Sequence, residues 1–250
     1  MKDLYQNLND NCQYFQERFE ECKELEDLLR NLSKYAQINA PETKETIDFF
    51  SRILKINQLI TIVALDAIPL CQGCILTEDN DWHNKFYCKY AYLNIYEFFK
   101  FYDKYNSIML QIIRKEANHY LPSYENVQAK IKIIKKRNIS KNQNYIEAVR
   151  NKAAGHIDHD FNTYYETIKS LQKETVIDCL SDLIGILREL QNMFFDLIDV
   201  FSQKLEAKIQ VLPPSKIELV NHLSDNMNLE QLNTFINELS LHQQDNNSSQ

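Results

Sequence analysis

The stretch from Glu174 to Ile209, ETVIDCLSDLIGILRELQNMFFDLIDVFSQKLEAKI, decides the fold. Val176, Leu180, Leu183, Leu187 and Leu190 recur in it at steps of three and four, with polar residues between them. That spacing gathers the apolar side chains on one face of a helix, whereas a half-buried strand would alternate every second residue. A face of this length must be buried against other helices, so the stretch predicts a bundle member rather than an isolated helix.

The rest of the chain agrees. Hydrophobic residues make up 44% of 250 residues, enough for a substantial core. Only 3 Gly and 5 Pro are present, too few for the many tight turns of an all-β protein. The reading is all-α, a bundle of about six to nine helices. A helix is predicted over about Leu4 to Ile38, with Leu25, Leu28, Leu29 and Leu32 on one face and Pro41 after its end. A second is predicted over about Glu42 to Leu70, with Ile47, Phe50, Leu54, Ile56, Ile60 and Val63 apolar, closed by Pro69 and Gly73. After the polar loop Thr77 to Asp81, an aromatic helix spans about Asn84 to Asn118 and carries Phe86, Tyr87, Tyr90, Tyr92, Tyr96, Phe98, Phe99, Phe101, Tyr102 and Tyr105. Rings at that density point to core or to a dimer seam, and rings can also stack bases. Pro122 ends that segment.

A short element over about Ser123 to Arg137 follows, in which Lys130-Ile131-Lys132-Ile133 alternates as a strand would. Helices are then predicted over about Asn142 to Ala154, Ile157 to Gln172 and Glu174 to Ile209. The double proline Pro213-Pro214 marks a boundary. The expected organisation is a bundle over 1–212, a helix or helical hairpin over 213–241 and a disordered polar tail over 242–250.

Net charge is −7, unevenly placed. Between Gln128 and Lys152 lie Lys130, Lys132, Lys135, Lys136, Arg137, Lys141, Arg150 and Lys152 against Glu147 alone, which gives +7 locally and −14 elsewhere. A basic window on an acidic chain is either a solvated face or a place to which a polyanion is steered. The six cysteines are scattered, as suits a reducing, cytoplasmic setting. No signal-peptide pattern is present at the N-terminus, and the apolar run Leu59 to Leu70 contains Asp66 and is too short to span a bilayer.

The basic window runs into Val149-Arg150-Asn151-Lys152-Ala153-Ala154-Gly155-His156. Histidine exchanges a proton near neutral pH, and arginine braces a phosphate with a fixed fork of donors. On one unbroken helix the six-residue step would leave the two side chains about 120° apart and about 9 Å displaced. Joint action therefore needs a break near Gly155 or a two-fold contact that pairs Arg150 of one chain with His156 of another. The stretch resembles the Arg-polar-x4-His signature of the HEPN superfamily, small helical bundles that are often ribonucleases. That resemblance implies a homodimer with a composite cleft, no cofactor, and RNA as substrate. It also implies His156 as the proton-transfer group, Arg150 as charge stabiliser and Asn151 as a positioning residue. The setting it implies is a toxin or phage-defence system with a neutralising partner protein. Lys130, Lys132, Lys135, Lys136, Arg137, Lys141 and Lys152 are the expected RNA contacts. Two metal alternatives stay open: His156, His159 and Asp160 at one helical face, and Cys71, Cys74, His83 and Cys88 as zinc ligand types. A non-catalytic helical module for dimerisation and protein or nucleotide binding is the competing reading.

Overall fold

The computed structural model describes residues 2–39, 44–77, 81–137, 139–140, 143–151 and 161–210. The chain is all-α. Its helices are α1 (Lys2–Asn39), α2 (Lys44–Leu76), α3 (Asp81–Glu116), α4 (Leu121–Arg137), α5 (Tyr145–Val149), α6 (Phe161–Lys169) and α7 (Lys173–Gln210). A one-turn 3-10 segment, Asn118–Tyr120, joins α3 to α4. A ribbon of two-residue strands, β1 (Ile139–Ser140) and β2 (Gln143–Asn144), joins α4 to α5. Pro213-Pro214, the segment 213–241 and the tail 242–250 lie outside the described residues.

Two compact units divide the chain within α1, α2 and α7. The first comprises Met1–Cys22 and Lys55–Leu197, the second Lys23–Leu54 and Ile198–Gln250. In the second unit, Leu29, Ile47, Phe50, Ile53, Leu54 and Ile198 are buried; the side chains of Leu28 and Leu32 lie outside those described.

In the first unit α7 is the organising helix. Val176, Leu180, Leu183, Leu187 and Leu190 are all buried, as the sequence spacing requires. From α1, Leu8, Asn11, Phe15 and Cys22 are buried at seven-residue intervals or within a turn of them. Polar bonds fix the register of α1 on α7: Arg188 donates to Asn11 Oδ1 at 3.0 Å and Tyr14 donates to Asn192 Oδ1 at 2.6 Å. The Arg18 guanidinium lies 4.5 Å from the Phe195 ring centroid, over its face.

The second predicted helix does not stop at Pro69 and Gly73. α2 continues through Pro69 to Leu76. A mid-helix proline removes one backbone hydrogen bond, but burial of Ala67, Ile68, Cys71 and Cys74 on either side holds the helix together across the gap. Gly73 serves a different purpose from helix termination. A Cβ there would stand 2.7 Å from Tyr87 Cγ and closer still to Cδ1 and Cε1 of the same ring, so glycine lets α3 approach α2. The helix ends one turn later, where the Thr77 amide and hydroxyl both lie within hydrogen-bond distance of the Gly73 carbonyl and the hydroxyl sits 2.8 Å from Asn84 Oδ1. By length and composition, Ile47–Leu76 is apolar enough to cross a membrane; half of its most apolar window is buried within the protein.

α3 buries Cys88, Ala91, Tyr92, Ile95, Phe98, Phe99, Tyr102, Met109, Ile112 and Ile113 and packs against α4, α5 and α6. Pro122 falls in the first turn of α4, where its missing N–H costs nothing. The alternation at 130–133 is helical, contrary to its strand-like pattern. In a strand Ile131 and Ile133 would share a face; here Ile131 is 2% and Ile133 56% exposed, as expected about 200° apart on a helix. The ribbon lies further along, at β1 and β2. α6 ends where Lys85 of α3 donates to the carbonyls of Leu171 and Lys169, at 3.0 and 3.4 Å, so a cation meets the carbonyl end of a helix.

Candidate nucleotide site

The segment carrying Arg150 is less uniform than the predicted helix over 142–154. Gln143 and Asn144 are held in the ribbon, so the helix begins at Tyr145. Ile146 and Val149 are its buried anchors. After Val149 the backbone widens into a π-type turn at Arg150 and Asn151.

That turn sets Arg150 against α3. Its guanidinium lies 5.5 Å from the Tyr96 ring centroid and donates to Asn151 Oδ1 at 2.9 Å. Tyr96 in turn lines a cleft of about 390 Å³. One wall is a single face of α3, where Tyr96, Phe99, Lys100 and Asp103 follow at helical spacing; Lys135 of α4 and Ile146 and Glu147 of α5 complete it. Lys135 bonds both Asp103 oxygens, at 2.8 and 3.1 Å, while its ammonium stands 5.0 Å from the Phe99 centroid. The cleft therefore combines two rings, two lysines and two carboxylates, with an arginine at one edge.

The basic window is partly neutralised by acids from other helices. Lys130 pairs with Glu189 and Arg137 with Asp182, both on α7, and Lys135 pairs with Asp103 on α3. Lys132 and Lys136 are exposed and have no ion pair among the described residues. Arg150 and Asn151 are brought together beside Tyr96, a lining residue of the cleft. Lys141, Lys152, His156, His159 and Asp160 lie outside the described residues.

Cys71, Cys74 and Cys88 are buried, with Cys74 and Cys88 Sγ 3.9 Å apart, whereas His83 is exposed at the start of α3. Among the described residues no three His, Cys, Asp or Glu side chains are gathered as a metal site. Burial pushes the Cys71 thiol up to about 11. Cys74 is pushed up further by its hydrogen bond with Cys88 and by burial. Cys71 and Cys74 are thus packing thiols, protonated at neutral pH and poor nucleophiles, while the hydrogen bond with Cys74 moves Cys88 the other way, below the usual thiol range.

Sequence reading did not single out Glu147 and Lys100, or the acids that pair the lysines. Glu147 entered only as the lone acid of a basic window, although it stands three residues before Arg150 on the short helix that leads into it. On α3 the rings of Phe86 and Tyr90 and the indole of Trp82 are exposed one turn apart, with Lys89 4.7 Å from the Tyr90 centroid. Compared with family models, curated proteins and solved structures, the chain matches none of them.

Proposed function

We propose that the chain is a metal-independent endoribonuclease of HEPN type, acting as a homodimer in a toxin or phage-defence setting with a neutralising partner protein. The observation that supports it best is the placement of Arg150: held by Tyr96 and Asn151 at the edge of a cleft that also contains Lys100 and Lys135. A guanidinium held by a ring and an amide, with no carboxylate partner among the described residues, retains its charge for a phosphate. In the proposed reaction His156 takes the proton of a ribose 2′-hydroxyl as its oxygen attacks phosphorus. The bond from phosphorus to the 5′-oxygen breaks, the departing oxygen takes up the proton held by His156, and a 2′,3′-cyclic phosphate remains. Arg150 stabilises the negative charge that accumulates on the phosphoryl oxygens. The exposed Trp82, Phe86 and Tyr90 supply apolar surface for association of two chains.

The neutralised lysines favour one other reading. With Lys130, Lys135 and Arg137 paired internally, the window offers less field to a long polyanion than its sequence charge suggests. A helical module that binds a nucleotide or a protein without cutting RNA needs less. One experiment separates the two: purified protein is incubated with total RNA in excess chelator, beside Arg150→Ala and His156→Ala variants. Cleavage that ends in cyclic phosphate and falls by roughly 10²-fold or more in either variant supports the nuclease. Intact RNA in every lane leaves the binding module.

A further inference from the structure

We propose that Cys74 and Cys88 form a redox clasp: a hydroperoxide oxidises Cys88, and Cys74 then closes a disulfide that ties α2 to α3. The proposal draws on neither Arg150 nor the nuclease reading.

Two buried thiols need not meet, but these do. Their sulfurs lie 3.9 Å apart and share a hydrogen bond, although the residues are 14 positions apart on different helices. A disulfide bond is about 2.05 Å long, so closing one here asks each sulfur to move by about 1 Å. The backbones are already close at this point. The residues just before the two cysteines, Gly73 and Tyr87, meet so tightly that a Cβ on Gly73 would stand 2.7 Å from Tyr87 Cγ. Bond formation therefore calls for rotation of two side chains more than for movement of a helix.

The two sulfurs are not equivalent. Lys85 stands one turn before Cys88 on α3, and both Lys85 and Lys173, the first residue of α7, favour a negative charge on Cys88. The hydrogen bond from Cys74 acts more strongly in the same direction; burial and Glu174 oppose it, and the thiol moves down. Cys74 has Cys71 beside it, and burial and the bond to Cys88 push it up. Cys88 is thus the nucleophile and Cys74 the protonated partner that resolves.

The chemistry balances with a hydroperoxide as oxidant. The Cys88 thiolate attacks one peroxide oxygen, the O–O bond breaks, hydroxide leaves and a sulfenic acid remains. The Cys74 sulfur then attacks the Cys88 sulfur and gives up its proton; the S–O bond breaks and the departing oxygen leaves as water. Two thiols lose two electrons and one hydrogen peroxide becomes two waters. Burial selects both reagent and product. Cys74 is 0% and Cys88 1% exposed. Cys74 lies in the last turn of α2 and Cys88 two turns into α3, where helix ends open locally at low cost and admit a small molecule. Glutathione is too bulky to follow, so the sulfenic acid meets its neighbour instead.

The test uses the full chain, reduced, desalted and treated with hydrogen peroxide in stoichiometric amount. Digestion with trypsin without reductant should yield the peptide Ile56–Lys85 joined to Phe86–Lys89. The link should persist in Cys71→Ala and vanish in Cys74→Ala, where dimedone should instead label Cys88. Closing a loop of this length should raise the melting temperature of the oxidised chain by about 5–10 °C, reversed by dithiothreitol. Absence of the link in the folded wild-type chain overturns the proposal, and this reading needs no variant. So does a link that survives Cys74→Ala, which makes Cys71 the partner, or a dimedone adduct on Cys74 in Cys88→Ala. An oxidised chain that carries the bond but melts no higher refutes the clasp.

Discussion

Two glycines inside helices should respond to alanine in opposite directions. At Gly73 an added Cβ would meet the Tyr87 ring, 2.7 Å from Cγ, where ordinary contact begins near 3.4 Å. Cγ is the root of the ring, so a swing of the ring tip does not relieve the overlap and the whole side chain must retreat. Overpacking of this kind costs about 1–3 kcal/mol, against about 1 kcal/mol gained from alanine's better helix propensity. The net expectation for Gly73→Ala is a loss of about 1 kcal/mol. At Gly185, exposed on α7, the added Cβ meets nothing within 4 Å, and Gly185→Ala should stabilise by about 0.5–1 kcal/mol. Urea unfolding reads both: with a slope of about 1–3 kcal/mol per molar, the two midpoints should fall on either side of wild type, about 0.5–2 M apart. Tyr87→Ala completes the cycle, because with the ring gone Gly73→Ala should become stabilising. If Gly73→Ala stabilises as much as Gly185→Ala in the presence of Tyr87, close approach of α2 and α3 is not what requires the glycine.

Other perturbations test the electrostatics. Glu189→Gln and Asp182→Asn release Lys130 and Arg137 from their pairs; if the basic window contacts RNA, each should tighten RNA binding and steepen its salt dependence by up to about one phosphate contact, measured by fluorescence anisotropy across a salt series. A slope unchanged in both variants would separate the window from RNA. The Cys71 thiol, held near 11 when folded against 9.0 unexposed to burial, binds its proton more tightly in the native state. Its contribution is therefore complete below about pH 9 and lost between about 9 and 11, up to about 3 kcal/mol. Cys71→Ala should flatten that part of the stability–pH curve, and an unchanged alkaline slope would contradict the assignment. In the core, Asn57 and Gln191 are fully buried, and both Asn57 side-chain atoms and Gln191 Nε2 have no hydrogen-bond partner among the described residues. Asn57→Leu should raise the urea midpoint, since an unmet buried amide costs about 1–3 kcal/mol; a lowered midpoint would show that the amide is satisfied.

Helical class was legible because it follows from local period. The α7 face is a pattern within one helix, and each of its five expected positions is buried. Errors arose where a local signal was overruled by packing. Pro69 and Gly73 punctuate a sequence, yet burial carries α2 across the first, and the second is there for a neighbour's ring. The alternation at Lys130 to Ile133 satisfies a strand period over four residues; the longer set Tyr124, Val127, Ile131 and Ile134 satisfies a helical one, and the longer set wins. The site was legible only where it is contiguous. Arg150 and Asn151 stand side by side in the chain, but Lys130 and Glu189 are separated by 59 residues, and no periodicity announces that pair.

That separation decides what charge at this surface means. A count of lysines and arginines treats each cation as equally available, whereas the fold sorts them. Lys130, Lys135 and Arg137 link α4 to α7 and α3, and part of their charge is offset by the carboxylates they meet. Arg150 is positioned without being neutralised: its partners are the π-face of Tyr96 and the neutral amide oxygen of Asn151, and it has no ion pair among the described residues. Both partners restrict the guanidinium's freedom and neither cancels its charge. Most of the ordering entropy is thus lost on folding and need not be lost again when an anion arrives. A cation with a structural task is satisfied by an acid. One held by a ring and an amide keeps its charge for an anion, which under the proposed function is a phosphate.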